Sequence, residues 1–209
     1  MNRVPTKIIR LMLSALVIAI FTTAMAYATE PTQAELDAYN AAYDLYTHSH
    51  AEPPEGTTYE EQKQLAITAF NDFITAYPTS ERAASAQHLI AQCYYDMKDF
   101  TNSKLEFNKV IDNYATSPLV DDALYLSSFS DYLAGDNEAA LIGFEGLITD
   151  YEGDADEKLT HKVPFAYFMA GECYRKLDDM VSARAKWNEL IVKYPTHSQA
   201  GRAQKRLNN

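Results

Sequence analysis

Apolar positions return along this chain at helical steps, and one phrase of that pattern occurs four times. It reads aromatic-x-x-apolar-Ile-x-x-Tyr: Phe70, Phe73, Ile74 and Tyr77; Phe107, Val110, Ile111 and Tyr114; Phe144, Leu147, Ile148 and Tyr151; Trp187, Leu190, Ile191 and Tyr194. Offsets of 3, 4 and 7 place the side chains of each phrase on one helical stripe. The phrases start 37, 37 and 43 residues apart. A helix with an apolar stripe must bury it against a neighbour, and a period in this range predicts a solenoid of stacked helix pairs.

The partner helix of each pair lies upstream of its phrase. The stretches His88–Phe100, Tyr125–Asn137 and Phe168–Met180 line up at the same offsets of 37 and 43. Each ends in a short polar turn, around Asp99, Gly135-Asp136-Asn137 or Asp178-Asp179, as a helix-turn-helix requires. Between units, Tyr77-Pro78-Thr79-Ser80 stops one helix and caps the next, and Ser117-Pro118 is expected to supply an N-cap and a first helical residue. The six extra residues of the last interval fall in the acidic stretch Glu152–Val163. The first unit is looser: Leu36–His50 reads as its first helix, Ala51–Tyr59 interrupts with two prolines and a glycine, and Glu60 begins the second. The units run over about 33–79, 80–117, 118–160 and 161–197, and the polar, basic segment 198–209 reads as a capping helix.

The N-terminus has a different character. Arg3, Lys7 and Arg10 precede the uncharged run Leu11–Ala26, and two frames fit a small-x-small cleavage site, Ala24-Met25-Ala26 and the preferred Ala26-Tyr27-Ala28. Residues 1–28 therefore read as a cleaved secretory signal peptide, which implies a periplasmic or extracellular protein with no membrane span after processing. The first cysteine is Cys93, so no cysteine stands where a lipid anchor would be attached. The net charge of −11 disfavours nucleic acid as a partner.

The sequence has no His-Glu-x-x-His, Gly-x-Ser-x-Gly, phosphate loop or dinucleotide fingerprint. The reading is of a non-enzyme without cofactor or metal. His48-Ser49-His50 near Glu52 reads as solvated rather than metal-binding. Cys93 and Cys173 occupy equivalent slots two units apart, ~20 Å at helix spacings of 8–10 Å, too far for a disulfide, so both are expected to stay free thiols.

The units resemble the tetratricopeptide repeat. Its Gly-x-x-Tyr, Ala-x-x-x-aromatic and Pro positions are met by Gly171, Tyr174, Ala183, Trp187 and Pro195, and in part by Ala91, Tyr94, Ser103 and Phe107. The third unit keeps Ala140 and Phe144 but has Ser128 and Asp131 at the first pair. The resemblance implies an all-α, right-handed superhelix of about four helix pairs with a C-terminal cap. It also implies that the first helix of each pair lines a concave groove. The inward positions are then Tyr39, Tyr43 and Tyr46; His88, Gln92 and Tyr95; Tyr125, Phe129 and Tyr132; and Phe168, Glu172 and Arg175.

The stretches Ala38–Leu45, Tyr77–Ser80 and Tyr194–Asn208 further resemble the C-terminal domain of the Tol–Pal system cell division coordinator family. That resemblance implies a periplasmic protein-binding scaffold, with TolA or a peptidoglycan synthase complex as partner, acting in envelope constriction. That family carries an N-terminal coiled coil, for which the segment before Leu36 has no heptad run. The outer-membrane assembly factor BamD is similar more distantly. The alternatives are an assembly component of another envelope or secretion complex, and an accessory domain of a cell-wall hydrolase.

Overall fold

The computed structural model describes residues 30–48, 56–153 and 162–208. The proposed signal peptide, the His48-Ser49-His50 motif with Glu52, and most of the acidic stretch after Glu152 lie outside the described residues and side chains. Nine helices and no strands are found among the described residues: α1 (Gln33–His48), α2 (Tyr59–Ala76), α3 (Ala83–Asp96), α4 (Phe100–Asn113), α5 (Val120–Ala134), α6 (Asn137–Tyr151), α7 (Val163–Lys176), α8 (Met180–Lys193) and α9 (Ser198–Leu207). Each helix packs on the next in sequence, and first helices also meet across units, α1 with α3 and α7 with α9. The result is an all-α superhelix of four pairs, with α9 standing where the first helix of a fifth pair would begin.

The recurring phrase supplies the core, but unequally. Its aromatic residues Phe70, Phe107, Phe144 and Trp187 are wholly buried, as are the apolar residues three positions on, Phe73, Val110, Leu147 and Leu190. Of the isoleucines only Ile148 is fully buried; Ile74, Ile111 and Ile191 are half-buried. Burying such a side chain contributes ~1.5–3 kcal/mol. Eight of them at equivalent positions fill the core of the stacked pairs, the repeating source of stability expected of a solenoid.

The turns inside the pairs are one turn repeated. Asp99, Asp136 and Asp179 are N-caps whose carboxylates accept from the backbone N–H three residues on, at 3.1, 3.0 and 3.0 Å. Each satisfies an amide that the first helical turn leaves unpaired. The residue before each aspartate has a positive φ: Lys98 at 62°, Gly135 at 90° and Asp178 at 61°. Only Gly135 adopts that conformation without steric cost.

The turns between pairs differ from expectation by two residues. Helices α3 and α5 begin after Arg82 and Leu119, and neither side chain accepts a capping hydrogen bond. Ser80 and Ser117 instead cap the preceding turn, their hydroxyls accepting from Arg82 N at 3.0 Å and Leu119 N at 3.2 Å. His197 fills the same slot before α9, its Nδ1 accepting from Gln199 N at 3.2 Å. The second helix of the first unit begins at Tyr59, under a reciprocal capping box between Thr58 and Glu61.

Candidate binding face on the first helices

In the first unit the three tyrosines of α1 run one above the other. Tyr39 stacks on Tyr43 at 6.2 Å between centroids, and Tyr43 meets Tyr46 at 6.1 Å. Tyr39 turns its edge to Phe73 and binds the Ser85 hydroxyl at 2.8 Å, while Tyr46 reaches Phe70. Beneath them lies a buried cation. Lys63 is 0% exposed, donates to Asp96 at 2.7 Å and stands 4.6 Å from the Tyr46 centroid. Burial, followed by the charge of Asp96, raises the Tyr46 phenol far above its ordinary value. Tyr43 is the open member of the set, 44% exposed.

From the second unit onward the rings join across helices. Tyr95 of α3 stacks on Phe129 of α5 at 6.4 Å and meets Phe100 edge-on. Phe129 stacks on Tyr125 at 5.7 Å and on Tyr132 at 5.9 Å, with interplanar angles of 12° and 10°. Tyr125 continues to Phe165 of α7 at 5.9 Å, and Phe165 to His197 at 5.1 Å. Tyr95, Tyr125, Phe129, Tyr132, Phe165 and His197 are all half-buried. Such a surface is too wet to be core and too apolar to be plain exterior. Burial, then the nearby Tyr95, pushes the Tyr125 phenol up to about 12.

Of the polar residues of the second unit, His88 is a strut to the next unit, and Gln92 bonds within its own helix. His88 Nε2 lies 2.9 Å from Asp122, and its ring meets Phe107 edge-on. Asp122 also pairs with Lys162, whose ammonium stands 5.6 Å from the centroids of both Tyr125 and Phe165. Burial alone would raise Asp122; the hydrogen bonds from His88 and Lys162 outweigh it and hold the carboxyl at about 2. Gln92 donates to Asp96 at 3.1 Å.

The fourth unit is arranged differently. Phe168 and Glu172 are each 3% exposed. Helix α9 lies against α7, putting the Arg202 guanidinium 4.3 Å from the Phe168 centroid and pairing Arg206 bidentately with Glu172, at 2.7 and 3.2 Å. Arg175 donates to the same carboxylate at 3.0 Å and remains partly exposed. So of the twelve residues read as inward-facing, Tyr95, Tyr125, Phe129 and Tyr132 share one continuous strip, the α1 tyrosines form their own, and Phe168 and Glu172 sit beneath the last helix. Phe165 and His197 belong to the strip yet fall outside the inward slots of the repeat. The aromatic at 165, three residues before Phe168, was the available signal.

Cys93 and Cys173 are buried free thiols, and burial pushes each up to about 12. Among the described residues no cluster of three His, Cys, Asp or Glu could hold a metal ion, and no helix is long and apolar enough to cross a membrane.

A helix-pair solenoid with this spacing has known relatives. A family model described as an outer membrane lipoprotein, YfiO, matches residues 32–209. The chain belongs to the YfiO family. Its match covers all nine helices, which favours the BamD-like resemblance over that to the Tol–Pal coordinator. Among solved structures, the crystal structure of MamA is similar over 71% of this chain and 81% of its own, at 15% identity and a TM-score of 0.50, a likeness of fold alone. No curated protein matches the chain. The first cysteine of this YfiO-family sequence, Cys93, is enclosed in α3.

Proposed function

We propose that this YfiO-family chain is a non-enzymatic scaffold of the periplasmic envelope that holds a segment of another protein along its first-helix face, as a component of an envelope assembly complex. The observation that carries the reading is the half-buried ring strip from Tyr95 through Phe129 to Tyr125 and Tyr132. Stacked tyrosines offer rigid contact area at low entropic cost, with hydroxyls that tolerate water when the face is empty. Membership of a family described as outer membrane lipoproteins supports the envelope location. The Tol–Pal coordinator remains a second reading, supported by the closing phrase Tyr194–Asn208.

The test is capture from envelope extract with the full chain and with Tyr132→Ala. Tyr132 stacks on Phe129 at the edge of the strip and is half-buried. At an interface hot spot its loss should weaken capture by ~2 kcal/mol while the melting temperature barely moves. A large melting loss with capture unchanged in the folded fraction would reject the face. Recovery of TolA would select the coordinator; recovery of an outer-membrane assembly partner would select the first reading.

A further inference from the structure

Charge is segregated along the chain. Residues 162–208 hold nine lysines and arginines against four acidic residues, although the whole chain has a net charge of −11. Lys162 stands over Tyr125, and three arginines line the neighbouring helix α7 at the counterparts of the strip: Arg202 over Phe168 in the slot of Tyr125, Arg206 on Glu172 in the slot of Phe129, and Arg175 itself in the slot of Tyr132. At the Tyr125 end, the Arg202 charge pulls down a phenol that burial and Tyr95 push up. At the Tyr132 end, burial and Glu172 raise the phenol while Arg175 and Arg206 oppose them.

The cations are incompletely matched by acids. Arg175 and Arg206 share the single carboxylate of Glu172, which is sunk at 4% exposure while the two arginines keep 36% and 45%. Arg202 is exposed, and its Nη1 donates to the neutral Gln199 at 3.0 Å. Lys162 is already paired with Asp122, so the donors left open beside the rings are those of the guanidiniums of Arg202, Arg206 and the partly exposed Arg175.

We propose that the face running from Lys162 and Arg202 to Arg175 and Arg206 seats a segment of another protein carrying one apolar side chain between two carboxylates. The inference rests on the scaffold reading above and adds the chemistry of the partner. Tyr125 and Tyr132 are seven residues apart on a helix, a rise of ~10 Å. An extended segment at ~3.3 Å per residue crosses that distance in three or four residues. The two acids should therefore lie three or four positions apart, with the apolar side chain on Phe129. Carboxylates meeting arginines make charge-assisted hydrogen bonds, and a basic face on an acidic molecule selects acidic segments by repulsion elsewhere.

The experiment titrates the full chain into a short fluorescein-labelled peptide bearing two glutamates four positions apart with phenylalanine between them. Its control has lysines in place of the glutamates. The glutamate peptide should bind with an affinity that falls as salt rises, and the control should not bind. Lys162→Gln combined with Arg202→Gln should weaken binding at least about tenfold, the loss expected for a charge-assisted contact. Arg202→Gln alone leaves the Asp122 pair intact and should weaken binding in the same direction, which protects the test if the double variant unfolds. Equal binding of the lysine peptide, or undiminished affinity in Arg202→Gln, overturns the proposal. Tyr132-dependent capture of an envelope protein with no binding of the glutamate peptide would overturn it while leaving the scaffold reading in place.

Discussion

A Cβ placed on Gly171 would stand 2.2 Å from the indole Nε1 of Trp187. The indole, wholly buried, lies so close to α7 that its N–H donates to the carbonyl of Phe168 at 3.2 Å. The glycine of the repeat is thus a packing requirement, set by the aromatic it faces. In the third unit the equivalent position is Ser128, and there the second helix gives way instead. A Cβ on Gly143 would fall 2.1 Å from the Ser128 hydroxyl.

Gly171→Ala should therefore lower stability by about 3 kcal/mol, at the upper end of overpacking costs. Urea denaturation reads this directly. Gly143→Ala should also destabilise, and Ser128→Gly added to it should restore most of the loss, because the two positions share one space. Additive losses in that pair would show that they do not compete.

The buried ammonium of Lys63 donates to Asp96, 2.7 Å away. Asp96→Ala should lower stability by ~2 kcal/mol or more, since it removes a carboxylate from a buried ammonium. Replacing both residues together, with Lys63→Met and Asp96→Leu, should cost much less. Chemical denaturation of the two variants compares them, and equal losses would count against the pairing.

Asp122 has its carboxyl held at about 2 against an ordinary 3.8. A depressed folded value gives stability that is fully present above pH ~4 and is lost as pH falls towards 2. The contribution is ~1–2 kcal/mol after screening. Asp122→Asn should flatten the stability profile between pH 4 and 2, measured by denaturant midpoints across that window. A profile identical to that of the parent chain would show that the His88–Asp122–Lys162 link contributes nothing.

Lys98 and Asp178 hold positive φ where the third unit has Gly135. Left-handed backbone costs a residue with a Cβ ~1–2 kcal/mol, partly offset by the greater unfolded-state freedom of glycine. Lys98→Gly and Asp178→Gly should each stabilise by ~0.5–1 kcal/mol. A lower melting temperature in either would refute the turn geometry.

Both thiols should resist alkylation in the native protein, because they are buried and burial pushes each up to about 12. Under denaturing, non-reducing conditions the mass should rise by two labels. A rise of none would mean that Cys93 and Cys173 are bridged and the units closer than stacked helices allow.

Local pattern alone determined the repeat, the pairing of helices, the polar turns inside the pairs and the stripe of each phrase, while the structure decided that ten of the sixteen stripe positions are buried. Each of these follows from spacing: a stripe at 3, 4 and 7 has one apolar side, and Asp99, Asp136 and Asp179 stand one residue past a forced turn. Which first-helix residues stay open was beyond spacing, because those helices are touched on more than one side. Phe168 and Glu172 share the periodic slots of Tyr125 and Phe129, yet α9 covers them, bringing Arg202 and Arg206 from thirty or more positions away. Phe165 joined the ring strip only because α7 lies beside α5. Periodicity assigns a residue to a face of its own helix; what lies against that face is decided by the neighbours that stacking brings to it.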